Sequence, residues 1–195
     1  MARSSGPLAA IALAAAALAV ASCGGSSAPV AVQPAPGPFA WLRPVPPPTG
    51  WTVDRLPSGT AGIARPPGWH RIWTDPGTVS TALLGPHGAI RGYLNATPLS
   101  GAETLANWAH FRPAHNRAEG DRSVRTEAAA THLRFPAGTG SCVVDRYRTV
   151  RARYREIACL VRGSRATTVV VAAAQPQDWA RLAPVLRRSV ASFST

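Results

Sequence analysis

The stretch CVVDRYRTVRARYREIACLV, residues 142–161, carries the clearest signal of the fold. Two apolar arms flank a charged middle, which is typical of two antiparallel strands joined by a reversal. A hairpin centred between Val150 and Arg151 places Cys142 directly opposite Cys159. The sequence therefore predicts two neighbouring strands joined by a disulfide, which by loop closure would stabilise the domain by ~3 kcal/mol.

The same register predicts an unfavourable contact inside the hairpin. It sets Asp145 opposite Glu156, and like charges on directly opposed residues destabilise a sheet. The alternative is a β-bulge or a shifted register. The sequence leaves both arrangements open.

Patterns on both sides of this hairpin indicate a mainly antiparallel sheet. Short apolar or alternating runs are bounded by Pro-Gly pairs and other turn residues. The run at 166–174 is apolar enough over 168–172 for a central strand. The other predicted strands are 64–69, 70–74, 79–84, 90–96, 123–135, 142–147 and 154–161.

Two main helices are predicted to cover this sheet. Ser100 and Glu103 form a Ser-x-x-Glu capping box before apolar residues at helical spacing, and Pro113 is expected to end that helix. A second helix is expected over 178–193, with Asp178 as its N-cap. The order of strands, helix, strands and helix predicts an α+β domain.

The first residues predict export. The uncharged apolar run 8–21 is too short to span a bilayer as a helix but suits a signal peptide. It leads into VASCG, residues 20–24, which resembles the bacterial lipobox; residues 1–22 would be removed and Cys23 would carry the lipid anchor. Ordinary secretion with cleavage before Ser22, and an uncleaved anchor, are the alternatives. Export would place the other two cysteines in an oxidising compartment, where they pair.

Residues 23–50 are predicted to form the lipidated N-terminus and a Pro-rich tether, and residues 51–195 the globular domain. The segment 24–50 contains eight prolines and shows no helical or strand periodicity. Three bulky apolar residues interrupt it, either as a recognition element or as contacts to the domain: Phe39, Trp41 and Leu42.

Several features further along the chain resemble the PsbP-like superfamily. They are the Pro-Pro-Gly-Trp turn at 66–69, the first helix with Trp108, and a final helix that contains Trp179 and ends at 192–193. Within this superfamily the chain is similar to the small actinobacterial lipoproteins of LpqN type, over roughly 63–193. The resemblance implies a PsbP-like sheet between helices and a role in binding or assembly, usually without catalysis. It supplies no set of functional residues.

The hairpin also contains the densest charge in the chain. Guanidinium groups flanked by Tyr147 and Tyr154 can bind carboxylate or phosphate through paired hydrogen bonds, which makes this a candidate anion-binding site. The alternative is a solvated hairpin tip whose side-chain stems cover apolar surface. The five residues are Arg146, Arg148, Arg151, Arg153 and Arg155.

The formal net charge is +12, from 21 Lys plus Arg and nine Asp plus Glu. Such a charge often accompanies nucleic-acid binding, but export argues against a nucleic-acid partner. His70, His87 and His132 lack Cys or carboxylate neighbours at metal-ligand spacing, and the spacing of five between His110 and His115 separates their side chains by about 140° on a helix. No catalytic motif occurs either, so we predict no catalytic residues, no metal and no cofactor. Four tryptophans are expected in the core, with a pocket among them as the alternative: Trp69, Trp73, Trp108 and Trp179.

Three functions remain open. The leading hypothesis is a non-catalytic binding or assembly module of the cell envelope, anchored by lipid at the extracytoplasmic face of the cell membrane, with an envelope protein or an anionic polymer as partner. The second is a carrier of a small apolar or amphipathic ligand, which requires a sizeable cavity between sheet and helix. The third is a hydrolase with a dispersed triad, which requires a Ser or carboxylate within hydrogen-bond reach of a histidine.

Overall fold

The computed structural model describes residues 37–136 and 138–195. In these ranges, short 3-10 turns lie at Gly37–Phe39 and Pro86–Gly88, and the other elements are nine strands and two α-helices. The strands are β1 (Thr52–Arg55), β2 (Gly62–Arg65), β3 (His70–Arg71), β4 (Val79–Leu84), β5 (Ile90–Pro98), β6 (Arg122–Phe135), β7 (Gly138–Arg148), β8 (Arg153–Gly163) and β9 (Thr167–Ala174). The helices are α1 (Trp108–Ala118) and α2 (Pro176–Ala191).

Seven strands form one antiparallel sheet in the order β3-β4-β5-β9-β8-β7-β6. Strand β9 is central, as its apolar sequence predicts. Because the strand is covered on both faces, its residues can be apolar on both sides. β1 and β2 pair as a separate antiparallel hairpin. The α+β prediction of a mainly antiparallel sheet with two main helices is confirmed.

The two faces of the sheet carry separate apolar clusters, because successive strand residues point to opposite sides. On one face, Cys159 and Val170 pack in a cluster with α2, β2 and the turn at 37–39. On the other face, Ala158 and Val171 pack in a cluster with Trp108 of α1. The sheet is therefore sandwiched between α2 and α1.

The central hairpin has the predicted register. Cys142 lies opposite Cys159 and the two are joined by a disulfide with an S–S distance of 2.07 Å. Asp145 lies opposite Glu156 in an unbroken ladder between β7 and β8. The alternative of a bulge or slip in this hairpin is therefore wrong; the irregular pairings lie between β6 and β7 instead.

The first helix differs from its prediction at both ends. The backbone N–H of Ser100 does donate to Glu103 Oε1 at 3.2 Å, as in a capping box. The helix nevertheless starts only at Trp108, because Asn107 closes the preceding turn by accepting from the Thr104 N–H and donating to the Ala102 carbonyl. Pro113 does not end the helix but lies inside it, where its ring costs one backbone hydrogen bond.

The second helix begins two residues before the predicted N-cap. Gln175 occupies the N-cap position and Pro176 the first turn, where its missing N–H is no loss. Asp178 instead lies within the first turn, where its carboxylate accepts from Arg91 at 2.6 Å and Arg181 at 2.9 Å. The contact with Arg91 attaches the start of α2 to β5.

The described part of the predicted tether packs on the domain. Phe39 is fully buried and Leu42 nearly so, both in the α2-side cluster, and the Val45 N–H donates to the Ala191 carbonyl. The packed unit therefore includes residues before the predicted boundary at residue 51, because bulky apolar side chains gain more from burial than a tether gains from freedom. The predicted signal peptide and the lipid anchor at Cys23 lie outside the described residues.

Candidate functional site

A cavity of about 640 Å³ lies between the sheet and α1. Its floor is formed by β4, β5 and β9, and its wall by α1 and the loop before it. A volume of this order suits a small organic ligand. We call it the α1 cleft; its apolar lining includes Ile72, Tyr93, Trp108, Phe111, Val169 and Val171.

Two buried anchors attach the cleft wall to the sheet. The Trp108 indole Nε1–H donates to the Ala158 carbonyl of β8 at 3.0 Å, and the Ser141 hydroxyl donates to the Leu105 carbonyl at 2.6 Å. The bonds connect the α1 region with β8 and β7, respectively. These bonds fix the position of the wall relative to the sheet. Residues of β4 and β5 line the cavity opposite the wall.

The polar end of the cleft contains a carboxylate with an unused acceptor. Glu103 is only 7% exposed, and its Oε1 accepts from the Ser100 N–H at 3.2 Å. Its buried Oε2 has no hydrogen-bond partner within the described ranges. A buried acceptor without a donor costs about 1–3 kcal/mol, and a ligand donor at this point would remove that cost.

Further acidic groups line the same cleft. Asp75 and Glu119 contribute carboxylates, and the cationic Arg112 at the cleft is already engaged by Glu156. The lining is thus more acidic than basic, although the whole chain carries a net charge of +12. This contrast favours a ligand with a hydrogen-bond-donating or cationic group rather than an anion.

A buried polar network lies beside the cleft, under α1. Arg112 donates two hydrogen bonds to the Glu156 carboxylate at 2.8 and 3.0 Å, and Asn116 donates a third at 3.3 Å. Tyr93 and Tyr147 share a hydrogen bond at 2.5 Å. Burial raises the pKa of both tyrosines, so both remain neutral at physiological pH.

Asp145 is the unsatisfied member of this network. It is fully buried opposite Glu156, and neither carboxylate oxygen has a hydrogen-bond partner in the described part of the chain. Thr126 lies opposite Asp145 on β6 and lowers the pKa of Asp145, but it does not form a hydrogen bond to the carboxylate. Burial dominates and raises the pKa of Asp145 to about 6.

A second candidate site is the surface at the hairpin end of β6, β7 and β8. Four arginine pairs face each other across these strands: Arg122–Arg148, Arg125–Arg146, Arg146–Arg155 and Arg148–Arg153. The structure thus adds two arginines of β6 to the five that the sequence singled out. We call this set the arginine surface; it consists of Arg122, Arg125, Arg146, Arg148, Arg151, Arg153 and Arg155.

Some arginines of the arginine surface have partners within the domain, and others are exposed to solvent. Arg146 and Arg155 each form an ion pair with Glu127, and the Arg155 guanidinium also lies over the Trp179 ring, 4.7 Å from its centroid. Arg148 and Arg153 are exposed and line a groove of about 390 Å³. The predicted anion-binding residues are therefore together, but Arg155 is partly used in packing.

The predicted core tryptophans are buried in three of four cases. Trp69, Trp108 and Trp179 pack in the two clusters. Trp73 is 87% exposed, so its assignment to the core was wrong. It follows Ile72, which lines the cleft, and Trp73 is not in the cleft lining itself.

None of the five histidines forms a hydrogen bond to a Ser or carboxylate in the part of the chain that the structure describes; His115 instead stacks on Phe111. Within residues 37–136 and 138–195, no three His, Cys, Asp or Glu side chains are grouped as a metal site would need. Over the same described ranges, no helix is both long and apolar enough to cross a bilayer.

Comparison with known proteins identifies the fold. The structure is similar to CyanoP, the cyanobacterial PsbP of Synechocystis sp. PCC 6803, with a TM-score of 0.54, 13% identity, and coverage of 74% of this chain and 92% of that one. It is also similar to the Ran-binding protein Mog1p of Saccharomyces cerevisiae, with a TM-score of 0.48, 10% identity, and coverage of 73% and 88%. No family model matches the sequence, and no curated protein does. The chain therefore has a PsbP-like fold.

Proposed function

We propose that this chain is an exported lipoprotein of LpqN type whose PsbP-like domain binds a small amphipathic ligand without catalysis. Residues 1–22 are the signal peptide, Cys23 carries the lipid, and the domain works at the extracytoplasmic face of the cell membrane. The observation that carries the ligand-binding function is the α1 cleft, a cavity of about 640 Å³ with an unpartnered buried carboxylate oxygen.

The lining of the α1 cleft supports the chemical class of the ligand. Aromatic and branched side chains such as Phe111 and Val169 favour an apolar body. Glu103 at the polar end favours a hydrogen-bond donor or a cation. An amphipathic molecule with an amine or hydroxyl group satisfies both requirements.

The proposed binding function assigns no catalytic role to the titratable groups near the cleft. The cleft carboxylates lack a histidine partner within hydrogen-bond distance among the described residues. Asp145 and Glu156 are both fully buried, so neither can reach a ligand in solution. A binding site that holds its ligand and releases it unchanged requires neither group.

An envelope protein is the second candidate partner, favoured by the exposed Trp73. Exposed tryptophans are over-represented among residues that dominate protein interfaces. Trp73→Ala should then reduce cross-linking to one specific envelope protein while leaving ligand binding in the α1 cleft unchanged. Equal cross-linking by the wild type and by Trp73→Ala would contradict this second function.

Ligand binding can be tested with dansylcadaverine, a fluorescent probe that has an apolar ring system and a primary amine. We expect its emission to rise and shift to the blue on binding the purified lipoprotein. Val169→Trp should abolish this change because the indole fills the cleft. Thr167→Trp, two residues earlier on β9 and outside the cleft lining, is the matched control.

The polar end is tested by Glu103→Gln, which keeps an acceptor for the Ser100 N–H. We expect about tenfold weaker binding of dansylcadaverine, as for the loss of a charged hydrogen bond, and no change for an uncharged dansyl amide. Absence of saturable binding by the wild-type protein, or equal binding by Val169→Trp, would contradict the proposed function.

The proposed anchor has its own test. Mass spectrometry of the mature protein should show a chain that begins at Cys23 and carries acyl groups, and Cys23→Ser should release the domain from membranes. A mature chain that begins at Ser22 without lipid would contradict the anchor.

A further inference from the structure

The arginine surface is unfavourable for the isolated domain. Its four cross-strand arginine pairs each set like charges opposite one another, which destabilises a sheet. Within the described ranges, Glu127 is the one carboxylate in an ion pair with any of the seven arginines. Most of this positive charge thus has no counterpart in the domain.

The arginine surface is adjacent to the place where the chain enters the domain. Pro38 and Trp41 line one small cavity together with Arg155 and Trp179. The predicted lipid site at Cys23 is fourteen residues before Gly37, a distance of at most about 50 Å even for an extended chain. An anchor at Cys23 would therefore keep the bilayer within reach of this part of the domain.

The tip of the hairpin adds an apolar residue to the charge. Val150 is 93% exposed at the turn between β7 and β8, flanked by Arg148, Arg151 and Arg153. Exposed apolar residues next to arginines suit the boundary between lipid headgroups and acyl chains. A soluble anionic polymer would use the arginines but would not need Val150.

We propose that the arginine surface docks on an anionic phospholipid bilayer, with Val150 at the headgroup boundary. This inference rests on the proposed lipid anchor: the anchor supplies proximity and the arginines fix the orientation of the domain. In this arrangement the domain lies against the membrane, whereas a tether alone would hold the domain away from the membrane.

The test uses the mature lipoprotein in vesicles, labelled with the fluorophore NBD at Val150→Cys. Such a label is specific because Cys142 and Cys159 are in a disulfide and Cys23 would carry lipid. Vesicles of phosphatidylcholine, with or without phosphatidylglycerol, contain brominated acyl chains that quench NBD on contact. Leu99→Cys is the matched control, because Leu99 is also an exposed apolar residue but pairs near the opposite end of the sheet.

We expect quenching at position 150 to be at least about threefold stronger than at position 99 in phosphatidylglycerol vesicles, and to weaken at high salt. R148Q/R151Q/R153Q should reduce it to the level of the control position, since each arginine near an anionic surface changes membrane association about fivefold. R134Q/R162Q/R188Q removes the same charge elsewhere and should leave it unchanged.

The contradicting outcomes are distinct. Protein that floats with the vesicles but shows no quenching at position 150 overturns the docking inference and leaves the anchor intact. Protein that does not float overturns both the anchor and the inference. A label at position 150 that responds to purified cell-wall fragments and not to vesicles overturns the bilayer in favour of a wall polymer.

Discussion

Asp145 lies directly opposite Glu156 in the β7–β8 ladder, and both carboxylates are fully buried. The Arg112 guanidinium balances the charge of Glu156 and donates two hydrogen bonds to its carboxylate. Asp145 has no comparable partner among the described residues. The two acids are thus equally buried, but the charge of Glu156 is compensated by a cation and the charge of Asp145 is not.

The first prediction concerns the pH dependence of stability. The pKa of Asp145 is raised from 3.8 to about 6 in the folded state. The folded protein therefore binds more protons than the unfolded chain between these values, so the contribution of Asp145 is full below about pH 4 and is lost as the pH rises through about 6. Asp145→Asn should be more stable than wild type at pH 7.5 by about 3 kcal/mol, and no more stable at pH 4.

Urea unfolding of both proteins at several pH values measures this difference. Asp75→Asn, at an exposed carboxyl, is the control and should show no such divergence. Parallel stability curves for wild type and Asp145→Asn would contradict the buried, unpaired state of Asp145.

The second prediction concerns the buried ion pair. Arg112→Met should destabilise the domain by about 3–5 kcal/mol, because it leaves the Glu156 carboxylate buried without its cation. Arg112→Met with Glu156→Met should recover much of that loss, since two apolar side chains need no compensation. A double variant no more stable than Arg112→Met in chemical denaturation would show that the pair contributes through packing alone.

The third prediction concerns the disulfide. Replacement of Cys142 and Cys159 by Ala should cost ~3 kcal/mol, because the unfolded chain regains the freedom of the closed loop. Thermal unfolding under non-reducing conditions measures the loss. Dithiothreitol should destabilise the wild type and leave the double variant unaffected.

The fourth prediction compares two tryptophans. Trp108→Ala should cost about 3–5 kcal/mol, because its ring is buried and its Nε1–H is bonded to the Ala158 carbonyl. Trp73→Ala should change stability by less than about 0.5 kcal/mol, because the side chain is almost fully exposed. Comparable losses in the two variants would place Trp73 in a packed contact.

The pairing in the hairpin at 142–161 could be predicted because one register sets the two cysteines opposite each other. Only the structure excluded the alternative of a bulge or slip at Asp145 and Glu156. The start of α1 could not be predicted, because Ser100 and Glu103 form their local contact without a helix and Asn107 closes the turn. Local motifs of this kind are compatible with several backbone paths, and tertiary packing of Trp108 selects one.

The candidate site depended on contacts between distant residues. Arg112 and Glu156 are 44 positions apart, and no local pattern connects them. A signal was present, however: the predicted like-charge contact of Asp145 and Glu156 requires a cation from elsewhere if the register is kept. The α1 cleft had no signal in sequence, since its floor and wall come from four separate elements.

The most direct test of ligand binding is native mass spectrometry of the lipoprotein extracted from the membranes of its own host. We expect a small-molecule adduct that is released on denaturation, retained in Thr167→Trp, and absent from Val169→Trp. An adduct of equal occupancy in Val169→Trp, or a wild-type protein that neither carries an adduct nor binds dansylcadaverine, would contradict this expectation.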